Sequence, residues 1–187
     1  MKSAVRRAVP MKIIIGAAET SQLDWYSTNE QWLDITNTNH WKRLFHGRRL
    51  LTHVLAEHVF EHLTSEGAAK ALNHIADHLI SGGRVRIAVP DGYHPDEEYR
   101  RHVDIGGIGA DALDHKQFFN ADSLTDIFTN SGFEVELIEG YDKAGTLICR
   151  SWRKEDGFVQ RSRQNVSHND WGFIDANTSL IIDGVYN

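Results

Sequence analysis

Between residues 56 and 63 the chain reads Ala-Glu-His-Val-Phe-Glu-His-Leu, so Glu57, His58, Glu61 and His62 fall within two helical turns of one another. Two kinds of chemistry fit that spacing. The letters His-x-x-Glu-His at 58–62 match a pattern that holds zinc. On a helix His58 and His62 would project to one face, with Glu61 as a base and a third ligand supplied by Glu134 or Glu139. The other reading is a strand-to-helix junction. In open α/β sheets ligands bind just beyond the carboxyl ends of strands. Glu57, with His58 beside it, would then face the ligand, while Glu61 and His62 begin the next helix. The junction is the stronger reading. Glu134 and Glu139 lie in a strand-like alternation, and no second motif joins them to the histidines. No metal is assigned.

The flanking elements support the junction. Leu50–Leu55 is an apolar run, and from Thr64 the pattern becomes helical. Thr64 is a suitable N-cap, and Ala68, Leu72, Ile75, Ala76 and Leu79 share one face. Gly82-Gly83 is read as the stop, followed by a strand over Arg84–Pro90 that ends in the turn Asp91-Gly92. Upstream, Lys12–Ile15 reads as a strand buried on both faces, closed by the small residues Gly16-Ala17-Ala18. Gln31–Thr36 reads as a second strand. Asp34 near its end stands where nucleotide-binding folds place a ribose acceptor, or else it forms an Asx-turn. Asp96–Val103 reads as the start of a helix, and the glycine-rich Ile105–Gly109 as a mobile cover. A capped helix follows Asn120. Phe133–Glu139 alternates apolar with acidic residues, and Asp142–Gly145 turns into Thr146–Trp152. A polar stretch, 153–177, includes Arg161, Arg163 and His168, and Ser179–Asp183 is a last strand. Gly16, Asp34, Glu57 and Asp91 would line one rim, which points to a nucleotide-like cofactor.

Composition bounds the rest. The 187 residues suit one domain over 11–187, preceded by a flexible tail over 1–10; Met11 is an alternative start. With 41% hydrophobic and 25% charged residues and 3 prolines, the chain is an ordinary globular one. A net charge of −6 disfavours nucleic-acid and anionic-membrane partners, and no apolar run reaches a membrane span. The lone Cys149 excludes an internal disulfide and suits the cytoplasm.

Several blocks together carry a resemblance: Ile-Ile-Ile-Gly at 13–16, Leu-Asp-Ile-Thr at 33–36, Ala-Glu-His-Val-Phe-Glu-His-Leu-Thr at 56–64, Gly-Gly-Arg-Val-Arg-Ile-Ala-Val-Pro-Asp-Gly at 82–92, His-Lys at 115–116 and Ser-Gly-Phe at 131–133. Arg-Ser at 161–162 and Ser-Leu-Ile-Ile-Asp at 179–183 add to it. From Met11 onward the chain resembles small class I S-adenosylmethionine-dependent methyltransferases. The resemblance implies an α/β, Rossmann-like three-layer sandwich, with a mostly parallel seven-stranded sheet and a terminal antiparallel strand. The interval before Glu57 leaves no room for one early helix. S-adenosylmethionine would be the cofactor. Gly16, Ala17 and Ala18 would lie against its methionine part, Asp34 against ribose or adenine, and Glu57 and His58 near the sulfonium. The family's first loop is usually Gly-x-Gly-x-Gly; here it is Gly16-Ala17-Ala18-Glu19. Asp91, Tyr93, His94, Tyr99 and Lys116 are candidates for contact with the methyl acceptor, and His115 is the candidate base. The acceptor would be a small metabolite, a sugar or a protein side chain. A binding or scaffold protein of the same fold is the alternative, and an edge strand ending at Asn187 could pair two subunits.

Overall fold

A computed structural model of the chain describes residues 1–165 and 178–187; the remainder of the polar stretch, 166–177 with His168, lies outside the described residues. Among the described residues the α-helices are α1 (Lys2–Arg6), α2 (Thr38–Phe45), α3 (Ser65–His78), α4 (Glu97–Val103) and α5 (Ala121–Asn130). Seven strands are β1 (Met11–Ile15), β2 (Trp25–Ser27), β3 (Leu51–Glu57), β4 (Leu79–Val89), β5 (Phe133–Tyr141), β6 (Leu147–Cys149) and β7 (Leu180–Tyr186). They form one sheet in the order β2-β1-β3-β4-β7-β5-β6. β1 is parallel to β2 and β3, and β3 to β4; β7 runs antiparallel to both β4 and β5, and β6 antiparallel to β5.

Local chemistry explains most boundaries. Ile13, Ile14 and Ile15 are buried because β1 is covered on both faces. Asn37 caps α2, Thr64 caps α3, and Asn120 with Ser123 forms a reciprocal capping box on α5. Thr64 and the apolar stripe of α3 stand as read from sequence, but Gly82-Gly83 does not stop the helix. α3 ends at His78 and β4 begins at once, with Leu79 paired to Leu51. No helix separates β1 from β2, which is the missing early helix.

Three expectations change. Gln31–Thr36 is a succession of turns, and the second strand is the short edge strand β2. Leu33 and Ile35 are buried without being in a strand, and the Ile35 carbonyl accepts the Trp41 indole N–H at 2.9 Å. Residues 2–6 are helical, with Ala4 and Val5 in the core and Arg48 Nη1 donating to the Val5 carbonyl at 2.8 Å. The last strand is not an edge: β4 and β5 occupy both sides of β7, so it has no side left to pair with a second subunit.

Helices α1, α2, α3 and α5 pack on one face of the sheet, with Trp41, Phe45, Leu72, Ile75, Leu124 and Phe128 in one apolar cluster. Gly184 of β7 lies under Phe128, which stands 2.5 Å from where a Cβ would be. The other face holds a smaller cluster, including Ile14, Leu55, Ala88 and Ile181, covered by Trp152 and Val159 of a segment in which they flank a single 3-10 turn at Lys154–Asp156. That segment is the third layer. Arg86, a charged residue within the strand read over Arg84–Pro90, is 1% exposed on this face. Its Nε and Nη2 donate to the two Asp183 carboxylate oxygens at 2.7 Å each, and its guanidinium lies 4.9 Å from the Trp152 ring centroid.

Two stability predictions follow from these packed groups. Arg86→Ala strands the buried Asp183 carboxylate and costs about 3–5 kcal/mol in denaturant unfolding, whereas Arg150→Ala, in an exposed pair with Glu136, costs under ~1 kcal/mol. His78 packs against Trp41 and Phe45 and donates Nδ1–H to the His74 carbonyl at 2.7 Å. Burial lowers its pKa below 6.5, so the fold favours neutral imidazole. That contribution is complete above the unfolded-state pKa and is lost as pH falls through 6.5 toward the folded-state value. His74 and His53 shift in the same direction, chiefly by burial. Unfolding free energy measured from pH 8 to 5 is expected to fall on the acid side, less steeply in His78→Leu.

Candidate functional site

β1 lies between β2 and β3, so the chain leaves β1 in one direction and returns past it to form β3. The carboxyl ends of β1 and β3 meet at this reversal, the place where open α/β sheets bind ligands. Gly16 follows β1, and Glu57 ends β3. Gly16 adopts φ +61°, and a Cβ there would stand 2.5 Å from Val59 Cγ2. Only glycine allows both the backbone turn and this close approach of the two loops. Ala17 is buried and donates its N–H to the Thr28 carbonyl at 2.9 Å. Ala18, at φ 46°, is exposed and donates to Asn29 Oδ1 at 2.8 Å. The Gly-Ala-Ala loop is thus tied to the residues that follow β2, with Gly16 and Ala18 exposed.

Asp34 is not at the end of β2. Its Oδ1 accepts from Thr36 N at 2.9 Å and Thr36 Oγ1 at 2.7 Å, the Asx-turn alternative. The acidic residue that follows β2 is Glu30, which is exposed. Sequence reasoning missed it because Trp25-Tyr26-Ser27 is too short a run to stand out as a strand. Only the β1 pairing identifies it.

Glu57 is half-buried at the rim, and its carboxylate is engaged. Its carboxylate accepts the backbone N–H of Gln160 at 3.0 Å and of Arg161 at 2.7 Å. Glu139, fully buried on β5, does the same two residues on, accepting from Ser162 Oγ at 2.7 Å and Arg163 N at 3.0 Å. Gln22 exchanges two hydrogen bonds with the Phe158 backbone, and Gln160 Nε2 donates to Thr20. Residues 158–163 therefore lie as a strap across the rim. Burial pushes the Glu139 pKa up, opposed by those donors. Its place on β5, bound to the strap, removes it as a metal ligand for the His58 region.

Past β3 the chain makes a 3-10 turn, Phe60–His62. His58, at φ 53°, is engaged at both ring nitrogens, with Glu61 Oε1 at 2.9 Å from Nδ1 and Ser179 Oγ at 3.2 Å from Nε2. This corrects the zinc set His58/Glu61/His62: His58 orients Glu61 and does not stand beside His62 on a helix. Glu61 is 1% exposed. Burial works to raise its pKa, but the His58 charge and hydrogen bond hold it below the ordinary value. The Glu61 carbonyl accepts from Lys116 N at 2.8 Å and Gln117 N at 3.1 Å. That bonding brings His115 alongside, with its ring centroid 5.0 Å from that of His62.

Of the residues expected to meet the acceptor, only some can do so. Asp91 is fully buried and structural: Oδ1 accepts from Tyr93 N at 2.9 Å, and Oδ2 from Tyr141 N at 2.7 Å, joining the ends of β4 and β5. Burial raises its pKa against these donors. Tyr99 is buried, its hydroxyl accepting from Asp91 N at 3.1 Å, and its pKa is pushed well up by burial. His94 stacks on Tyr99 with ring centroids 4.1 Å apart. Tyr93 donates to Asp122 at 2.8 Å, at the start of α5, and the Lys116 side chain is exposed. A concavity of about 600 Å3 lies between α1 and α2, lined by Lys2, Arg6, Trp32 and Arg43 among others, and none of the rim residues line it.

A family profile described as a methyltransferase domain matches residues 18–138, well over half the chain. The chain belongs to the methyltransferase-domain family. No curated protein matches the sequence. Solved structures with the same fold include a SAM-dependent methyltransferase from Archaeoglobus fulgidus, with 13% identity, TM-score 0.52, and 98% of this chain and 91% of that one covered. A SAM-dependent methyltransferase from Thermotoga maritima, described as a possible histamine N-methyltransferase, aligns at 14% identity, TM-score 0.52, over 99% and 86%. A methyltransferase from Haloferax volcanii, solved with the Trm112 activator, aligns at 15%, TM-score 0.50, over 98% and 87%. The fold of this methyltransferase domain is thus the Rossmann-like one expected from its sequence. Among the described residues, no helix is long and apolar enough to cross a membrane.

The strap makes its own prediction. Glu57→Ala removes the acceptor of two backbone N–H groups. Amide hydrogen exchange at Gln160 and Arg161 is expected to quicken at least about tenfold, equivalent to losing roughly 1.4 kcal/mol of local protection, while exchange in α3 stays unchanged.

Proposed function

We propose that this chain transfers a methyl group from S-adenosylmethionine to a hydroxyl or amine acceptor carried by a small metabolite, a sugar or a protein side chain. The observation that carries the reading is the junction of Gly16–Ala18 with Glu57–Val59 at the reversal of strand order, in a chain of the methyltransferase-domain family. S-adenosylmethionine supplies a methyl group on a cationic sulfonium, so the reaction is a displacement in line with the departing sulfur. The residues present fit such a ligand: the exposed Gly16, without a side chain, allows close approach, and the exposed Glu30 past β2 is a carboxylate acceptor for ribose hydroxyls. Asp34 is engaged by Thr36 and serves the turn that carries this loop into α2.

The protein's main contribution is alignment and exclusion of water. The strap, held by Glu57 and Glu139, lies over the rim and shields it. A base is needed only where the acceptor carries a proton that must leave. We assign that role to His115, on the support that its Nδ1 donates to the Val103 carbonyl at 2.8 Å, which leaves Nε2 to take a proton. Asp91 and Tyr99 hold the floor of this region, while Tyr93, His94 and Lys116 border it. A reducing cytoplasmic compartment suits the single free thiol, Cys149.

A second reading has its own support. The strap occupies both Glu57 oxygens, as it would in a domain of this fold that binds partners without turnover. Ligand titration separates the two. S-adenosylhomocysteine is expected to raise the melting temperature of the full chain and to bind in calorimetry. Gly16→Val, which fills the space against Val59, is expected to weaken that binding at least about tenfold. Absence of a shift and of heat at millimolar ligand would promote the scaffold reading.

A further inference from the structure

Glu61, His62 and His115 bring a carboxylate oxygen and one nitrogen of each imidazole within 4.8 Å of one another. Three further observations make this a built arrangement. Glu61 is 1% exposed, with Oε1 engaged by His58 and Oε2 without a hydrogen-bond partner among the described residues. A buried carboxylate oxygen lacking a donor is costly unless something positive meets it. Each imidazole has its Nδ1 directed at a main-chain carbonyl, His115 to Val103 at 2.8 Å and His62 to Asp114 at 3.3 Å. Both therefore present Nε2 as the lone-pair nitrogen, the arrangement by which metal-binding histidines are oriented. Finally, main-chain hydrogen bonds from Lys116 and Gln117 to the Glu61 carbonyl, with Gln117 Nε2 donating to the Leu63 carbonyl at 2.8 Å, clamp the two contributing segments together.

We propose that Glu61, His62 and His115 form a binding site for one divalent transition-metal ion. Ligands around one such ion stand about 3–3.5 Å apart at bond lengths near ~2.1 Å, so small side-chain rotations close the set. Two imidazoles and one carboxylate favour zinc, cobalt or iron over magnesium or calcium. His58 is the outer partner that holds the carboxylate. The His62 side chain is 30% exposed, which leaves an entry path and open coordination positions. A water or an acceptor hydroxyl taking such a position would lose its proton more readily, so the ion would take over the role of a His115 base. The site does not rest on the methyl-transfer reading, because its donors are defined without any cofactor.

The test uses tag-free full-length protein stripped with chelator, then titrated with Zn2+ and separately with Co2+. One ion per chain is expected, with visible cobalt absorption of low-symmetry coordination, and no displacement by millimolar Mg2+. Glu61→Gln, His62→Ala and His115→Ala are each expected to lower Zn2+ affinity at least about 100-fold, and His58→Gln by about 10–100-fold. His53→Gln, on β3 outside the cluster, leaves it unchanged. Circular dichroism of the stripped variants checks folding; should His115→Ala unfold, His62→Ala with its more exposed side chain carries the test. Failure of the wild-type chain to bind either ion, or binding undiminished in both histidine variants, would overturn the proposal. S-adenosylhomocysteine binding, measured separately, reports on the methyltransferase reading.

Discussion

The pairing of Arg86 with Asp183 is the interaction on which the second face of the sheet depends. Asp183 accepts from Arg86 through both oxygens and from Arg84 Nη1 at 2.9 Å, so one carboxylate on β7 holds two cations on β4. Buried charges of this kind contribute little net stability, but they tolerate only one register, because a shifted strand would leave each ion alone in the interior. β7 must insert between β4 and β5 in the orientation that opposes residues 86 and 183. The remaining Arg86 nitrogen reaches the Gly157 carbonyl, and its guanidinium faces Trp152. A strand register thereby fixes where the covering segment begins.

From that anchor the strap runs on to the rim. Glu57 and Glu139 each receive backbone N–H groups of residues 160–163, so two carboxylates on separate strands read the position of one irregular segment. This is a polar solution to covering a sheet without a helix. The backbone N–H groups of residues 160, 161 and 163 are satisfied by acidic side chains of the strands instead of by a neighbouring strand or helix turn. The helical face is built in the opposite manner, from apolar stripes that need no polar partners.

The imidazoles beyond β3 show how the same principle prepares a site. His58 is hydrogen-bonded to one oxygen of Glu61, and the other has no partner among the described residues. Val103 and Asp114 carbonyls fix the tautomers of His115 and His62. The zinc-like letters at 58–62 thus contained two members of the cluster, with roles differently distributed. Their partner came from 53 residues beyond His62, delivered by main-chain bonds to Glu61.

What the sequence by itself determined was whatever local periodicity and capping encode. β1, the core of β3, α3 with its Thr64 cap, α5 and the β5–β6 turn could be read because neighbours within a few residues decide them. It also carried the family, since several short blocks in order are specific together. Tertiary structure alone decided the rest. Leu33 and Ile35 alternate like a strand, yet they are buried against α2 from a turn. Trp25–Ser27 is a strand only because β1 offers it an edge. The burial of Arg86 could not be read from its own strand, because Asp183 is 97 residues away. Glu57 looked like a free ligand group because the amides that occupy it lie 103 and 104 residues on. A buried charge and its partner leave no periodic trace in the sequence, because what pairs them is the order of strands in the sheet.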